Sequence, residues 1–478
     1  MHPSVRHLAL TLVVGGVAAL PAPPSQAQAL PSPPVRIPAT PPATMPSPVA
    51  VPAPISPPVP VVNAAATQTL LDLYQSARAF DAAYLAARAQ ADSEVYKAEQ
   101  VEALLRPSAS LSGSAGRVET NPLIGPNFGS NALALGLTGR YPLYNRTSSA
   151  TVAQARQALL ASRSVLELAE QDLIVRVAQA YFDVLAAQDT LATTRASKAA
   201  ISEQLASAKR NFEVGTATIT DTREAQARFD LGTFQELAAE NDLLNKRIAL
   251  DQLVGRPNTA PAQLAIPVAL PAPPTDVQAW AARAESQHPQ IWRARIALDV
   301  ARLEVEKARA GKLPVLDAVA GVNAGRGTTG TVTGSNASAS LGVQLSLPLY
   351  TGQAVENRIA ETQVLEDRAR SDLDAALRNV SLATRTAFNA LQSGVGQVRA
   401  LEAAESSSQL ALEATQLGYR VGVRVNLDVL NAQTQLFTTR RDLARARYDV
   451  LVNTLRLRQA AGELKPEDVA RVNALLAR

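Results

Sequence analysis

Gly418-Tyr419-Arg420-Val421-Gly422-Val423-Arg424-Val425-Asn426-Leu427-Asp428-Val429-Leu430-Asn431 is a short glycine-bearing break between two long helical patterns. A degenerate copy, Asn211-Phe212-Glu213-Val214-Gly215-Thr216-Ala217-Thr218-Ile219-Thr220-Asp221, stands 207 residues earlier, with Val214-Gly215 under Val421-Gly422 and Asp221 under Asp428. Glycine suits a helix C-terminus because it enters the left-handed conformation without a Cβ clash. Thr218, just upstream of Asp221, is placed to cap the next helix, with Asp221 completing a capping box. Both stretches read as turns of helical hairpins.

Outward from these turns the whole chain repeats. Helical patterning runs from 67 to Leu105 and stops before Pro107, since the residue ahead of a proline is pushed out of the helical region. The period then switches to two: Leu111, Gly113 and Ala115 alternate with Ser110, Ser112 and Ser114, which predicts a strand over 108–116. After a loop rich in Asn, Pro and Gly, a second strand is predicted over 132–141, with Leu133, Leu135 and Leu137 facing one way and Ala134, Gly136 and Thr138 the other. A long helix is expected over 146–213 and a shorter one over 219–254, stopped by Gly255-Arg256-Pro257. A connection over 258–275 closes this first unit, 67–257. The second unit, 276–462, carries a helix with a break at His288-Pro289, strands over 315–324 and 337–347, a long helix over 351–419 and a last one over 425–461. Pro314 stands 207 residues after Pro107, Gly462 stands 207 after Gly255, and Pro348-Leu349-Tyr350 repeats Pro142-Leu143-Tyr144 at 206. That constancy marks an internal duplication. Residues 463–478 form a C-terminal tail.

The flanks and totals narrow the class. Residues 1–29 read as a signal peptide: Arg6 and His7 precede an apolar run from Leu8 to Leu20, and Ala27-Gln28-Ala29 resembles a cleavage site. Residues 30–66 recur in proline and read as a disordered, extended linker. With no cysteine there is no disulfide framework, thiolate metal site or lipid-accepting thiol. The net charge of +4 is small, and basic residues are dispersed among acidic ones, so no nucleic-acid patch is expected. Gly325-Arg326-Gly327-Thr328-Thr329-Gly330 matches a dinucleotide fingerprint in letters only. No helix pattern opens at its glycines, so it reads as an extracellular loop. Three dispersed histidines supply no metal set or catalytic triad, and no enzyme or cofactor is expected.

Each strand has the length and alternation of a transmembrane β-strand, yet four cannot close a barrel, and open edges are not tolerated in lipid. Three chains would pool twelve strands. Soluble hairpins on a helical stalk, or a trimeric coiled-coil stalk or adhesin, are the competing readings. A stalk would show sustained single-stripe heptads rather than duplicated hairpins.

From about Gln68 to Arg478 the sequence resembles the TolC family of outer-membrane efflux and type I secretion channels. The resemblance is carried by Phe212-x-Val214-Gly215-x-x-x-Ile219-Thr220-Asp221 and by Gly418-Tyr419-x-Val421-Gly422-x-Arg424-x-x-x-Asp428-Val429-Leu430. Ala180-Tyr181-Phe182-x-Val184-Leu185, Leu313-Pro314-x-Leu316 and Ser346-Leu347-Pro348-Leu349-Tyr350 support it. It implies a mainly α, mixed channel-tunnel: a homotrimer with a 12-stranded β-barrel in the outer membrane and an α-helical barrel through the periplasm. The connection and tail would belong to an equatorial belt. Carried onto this chain, Thr220 and Asp221 would bond Tyr419 and Arg424 as a latch closing the periplasmic end. Asp428 would line a pore constriction, with Asn431 in place of a second aspartate, and Gln204 would face Gln416 of the next protomer. The implied partners are a periplasmic adaptor and an inner-membrane ABC or proton-driven transporter, besides outer-membrane lipid. Two uses remain open, type I secretion of a polypeptide such as an RTX-type toxin and small-molecule efflux. Asn431 and the missing lipidation cysteine lean toward secretion.

Overall fold

The polypeptide traces the same path twice in the computed structural model, which describes residues 67–121, 128–265, 274–329 and 332–475. In the first half, α1 (Leu70–Phe80) and α2 (Ala82–Glu102) lead into β1 (Ser108–Thr120) and β2 (Phe128–Tyr144), then α3 (Arg146–Glu213) and α4 (Ile219–Val254). The second half runs α5 (Val277–Gln287), α6 (Pro289–Ala310), β3 (Val315–Thr329), β4 (Val332–Ser346), α7 (Ala354–Arg420) and α8 (Asn426–Ala460), and α9 (Pro466–Asn473) ends it. The expected leader, 1–29, and linker, 30–66, lie outside the described residues, as do 266–273 of the connection and 476–478 of the tail.

At 1.5 Å per residue the 68 residues of α3 make a rod about 100 Å long. Against it lie α2 and α4, and against α7 lie α6 and α8. Asp81 separates α1 from α2 with an extended backbone, ψ 116°. Neither proline nor glycine marks that break. Instead its carboxylate accepts the Tyr84 amide at 2.9 Å and a two-pronged bond from Arg176 of α3 at 2.9 and 3.1 Å. The Arg176 bond holds the Asp81 carboxyl below its ordinary range, so the pair loses its stabilisation only when acid protonates the carboxylate. The equivalent break, 207 residues on, is His288, whose Nδ1 accepts the Gln290 amide at 3.1 Å ahead of Pro289.

Left-handed glycines end α4 and α8 against these breaks. Gly255 has φ +72°, and a Cβ on it would lie 2.3 Å from the Phe80 ring; Gly462 has φ +73°, and its Cβ would lie 2.6 Å from the His288 Cα. Gly215 shares the conformation, φ +78°, with open space around it. Alanine at Gly215 therefore costs only the left-handed strain, roughly 1–2 kcal/mol. At Gly255 the exposed Phe80 ring must also move. At Gly462 backbone must move, which adds overpacking of about 1–3 kcal/mol. Denaturation followed by circular dichroism should rank the losses Gly462→Ala, then Gly255→Ala, then Gly215→Ala.

The main core gathers at the waist of α3. Leu173, Ile174, Tyr181, Phe182 and Leu185 are wholly buried against Leu70 and Leu73 of α1, Leu250 of α4, Leu451 and Leu455 of α8, and Val469 and Val472 of α9. The Tyr181 hydroxyl donates to the Ala262 carbonyl at 2.7 Å, and that of Tyr448 to Asp189 Oδ2 at 2.6 Å. Residues expected only as a tail thus carry a helix. It starts at Pro466 and is pinned by Asp468, which takes the Lys465 amide at 3.1 Å and Arg458 at 2.6 Å.

The four strands form one antiparallel sheet in the order β1-β2-β3-β4, so β2 and β3 join the two halves and β1 and β4 are free edges. Pairing runs further toward the hairpin ends than alternation alone indicates, with Arg117 opposite Asn131 and Thr328 opposite Thr333. Gly325 to Thr329, expected in a loop, pair on both sides within β3. Backbone pairing needs no apolar side chain, and glycine here makes room for a neighbour. A Cβ on Gly325 would lie 2.6 Å from the Asn336 amide oxygen, and one on Gly136 equally close to that of Asn323. One face of the sheet carries Leu111, Leu133, Leu135, Leu137, Val322, Leu341, Val343 and Leu345, all exposed. The other carries Ser110, Thr138, Asn323, Asn336 and Gln344, with Ser110 and Thr138 bonded at 2.8 Å.

Candidate functional site at the paired helical turns

The chain reverses after α3 and α7 through the same backbone device. The Thr216 amide returns to the Asn211 carbonyl at 2.8 Å and the Gly215 amide to Phe212 at 3.0 Å. In the second turn Val423 returns to Gly418 at 2.9 Å and Gly422, φ +80°, to Tyr419 at 3.1 Å. Each reversal satisfies carbonyls that the helix end leaves without partners.

The helices that follow begin differently. Thr218 and Asp221 close a reciprocal box: the Asp221 amide donates to Thr218 Oγ1 at 3.2 Å, while Asp221 Oδ2 accepts the Thr218 amide at 3.0 Å and hydroxyl at 2.7 Å. In the second turn Val425 replaces that threonine, and no side chain caps α8. Asp428 is thereby released from capping. Its carboxylate, about a third exposed, lies 3.6 Å from the Arg424 guanidinium. The buried Gly418 allows this, because a Cβ there would lie 2.8 Å from Cγ of Arg424.

Apolar packing and amides join the two hairpins. Ile201, Leu205 and Ala208 of α3 pack with Ala225 of α4 and Leu430 of α8. Asn211 donates to the Tyr419 hydroxyl at 3.2 Å, and Gln204 to the Asn426 side-chain oxygen. Asn426, itself buried, donates to the Asp221 carbonyl at 3.4 Å, and Arg228 reaches Asn431 at 3.0 Å.

The expected site residues therefore share one end of the molecule in a different pairing. Within the chain the Asp221 side chain serves its own cap rather than Tyr419 or Arg424, and the Thr220 hydroxyl, exposed, has no partner among the described residues. Tyr419 meets Asn211, Arg424 meets Asp428, and Gln204 turns to Asn426 while Gln416 stays exposed. Sequence reasoning passed over Asn211, Arg228 and Asn426. Isolated amides and an arginine on a helix look, in sequence, like any solvated flank.

A family model described as outer membrane efflux protein matches the chain twice, over 73–256 and 280–463, each bound of the second lying 207 residues beyond the first. The chain is 34% identical over 419 residues to outer membrane protein TolC of Vibrio cholerae, covering 86% of this chain and 94% of that protein. It is 36% identical over 309 residues to the alkaline protease secretion protein AprF of Pseudomonas aeruginosa, covering 64% of each. The solved structure of the outer membrane protein VceC, also from Vibrio cholerae, has the same fold: TM-score 0.70 at 19% identity, over 82% of this chain and 96% of that one. The duplicated strands, long helices and facing turns are those of a channel subunit, and the chain belongs to the outer membrane efflux protein family as an outer-membrane transport conduit with the TolC-like fold, not an enzyme.

Proposed function

We propose that three copies of the chain assemble into the exit channel of a type I secretion system for polypeptides of the RTX toxin kind. The observation that carries the assembly is the four-stranded sheet, with one apolar face, one polar face and two unpaired edges. In lipid those edges must be paired, and three copies close twelve strands with the polar face inward. No helix among the described residues is long and apolar enough to cross a membrane, so the sheet would make the crossing. Leu231, Phe234, Leu237, Leu244 and Ile248 on α4 and Val364, Leu382 and Leu410 on α7 are exposed in the single chain, which supports their packing between subunits. Secretion rather than small-molecule efflux is supported by the similarity to a protease secretion protein and by Asn431, which leaves one acidic residue per subunit at the constriction.

An inner-membrane ABC or proton-driven transporter, reached through a periplasmic adaptor, would supply the energy. Thr220, Asp221, Tyr419 and Arg424 would latch the periplasmic end by joining the two hairpins of each subunit when the channel is shut. The test places the chain in a host lacking its own exit channel, with a type I transporter and adaptor that export a protease. Recovery of protease in the medium, with a detergent-extracted species of three times the subunit mass, is expected. A water-soluble monomer that needs no detergent overturns the assembly, and drug tolerance restored without protease export overturns the secretion reading.

A further inference from the structure

We propose that Arg117 and Arg326 form a phosphate-binding cleft on the lipid-facing side of the sheet, for the phosphorylated sugar headgroup of an outer-leaflet glycolipid. The proposal rests on the reading of the apolar face as lipid-facing. At the hairpin end, a cavity of about 480 Å³ opens across β1, β2 and β3, and Ala115, Arg117, Asn131, Leu133, Arg326 and Thr328 line it. Their side chains alternate onto the same face as Leu135, Leu137 and Val322, not onto the polar face.

Height along the strand decides what the arginines meet. From Leu316 upward, that face of β3 carries Ala318, Ala320, Val322 and Ala324 before Arg326. Ten residues at ~3.4 Å, inclined at ~40°, rise about 26 Å, which matches the ~25 Å apolar band of an outer-membrane barrel. Arg326 therefore stands at the band's outer edge. Arg117 is one step higher, since it pairs with Asn131, which pairs with Thr328, two residues beyond Arg326. The helices leave the opposite end of the sheet toward the periplasm, so this edge meets the outer leaflet, where acylated glycolipids carry phosphate.

The charges suit that ligand. Arg326 has no hydrogen-bond or ion-pair partner among the described residues. Among the described residues Arg117 meets Glu119, at 2.9 Å in a well-exposed pair, and such a pair holds its arginine weakly. Guanidinium groups bind phosphate oxygens through two parallel bonds, and do so more strongly beside lipid than in water. Leu133 and Ala115 below them continue into the apolar band, where acyl chains would lie.

The test uses the full-length channel in detergent, titrated with deep-rough lipopolysaccharide and read by native mass spectrometry. Wild type is expected to retain the lipid about tenfold more tightly than the Arg117→Gln/Arg326→Gln variant, with Arg117→Lys/Arg326→Lys between the two, since lysine keeps the charge but not the paired bonds. Enzymatically dephosphorylated lipid should lose the same factor on wild type and none on the glutamine variant. Equal retention by wild type and the glutamine variant overturns the proposal, as does full competition by millimolar inorganic phosphate, which would make this a simple anion site. Either result from a detergent-dependent trimer sinks the cleft alone. A chain that stays soluble without detergent sinks the lipid-facing reading beneath it.

Discussion

Leu135→Arg should remove the assembled channel from the outer membrane, while Thr138→Arg should leave it in place. Leu135 lies midway along β2 on the apolar face, just over half exposed, with its Cδ2 above Gly113, where a Cβ would sit 3.3 Å away. An arginine at the mid-depth of the lipid face of a barrel costs ~2–4 kcal/mol. Three copies in the proposed trimer raise that to roughly 6–12 kcal/mol, comparable with the whole stability of an ordinary domain. Thr138 is three residues away, on the face where its hydroxyl meets Ser110 at 2.8 Å. An arginine there points into the polar interior and loses one exposed hydrogen bond. The amount of heat-resistant trimer in outer-membrane fractions measures both variants. The opposite ranking would mean that the polar face meets lipid, and the barrel reading would fail with it.

Those faces were legible because a strand's side-chain period is two, so alternation alone assigns every residue from Leu133 to Thr138 to a side. The turns were legible for a comparable reason. Gly215 and Gly422 both adopt positive φ, which few other residues tolerate. Asp81 shows where local reading stops. Its break is fixed by Arg176, 95 residues on, and no window of sequence around Asp81 contains that partner. The helix at Pro466 is similar, because Val469 and Val472 are buried in one core with Leu70 and Leu73 of α1, far back along the chain. At the turns the residues that the resemblance singles out share one end of the fold, with partners other than those it implies. The constant offset sets Thr218 over Val425, but the capping that this one difference gives to one aspartate and withholds from the other shows only in the structure.

Asp428→Ala is therefore expected to weaken block of the reconstituted channel by trivalent cations about a hundredfold, with the opposite sign for Arg424→Ser. In the proposed trimer three Asp428 carboxylates ring the pore, and a trivalent cation meets all of them at once. Each ring member is partly neutralised by the Arg424 guanidinium at 3.6 Å, so removing that cation exposes the ring and should tighten block. Asn431, already bonded to Arg228, adds no charge, which leaves Asp428 as the main source of the effect. Losing even one charge-assisted contact's worth of binding, ~3 kcal/mol, gives the expected hundredfold change. Asp221 should behave differently, because its carboxylate is held by the Thr218 cap. Asp221→Ala alone should leave block nearly unchanged and cost the hairpin about 1 kcal/mol. Combined with Arg424→Ser it should also raise single-channel conductance, since the proposed latch between the two hairpins then loses both charged members. Planar-bilayer recordings read block and conductance from the same channel. Undiminished block in Asp428→Ala would remove that residue from the pore, and an unchanged conductance in the double variant would leave closure to Asn211, Gln204 and Asn426, the contacts that join the hairpins within one chain.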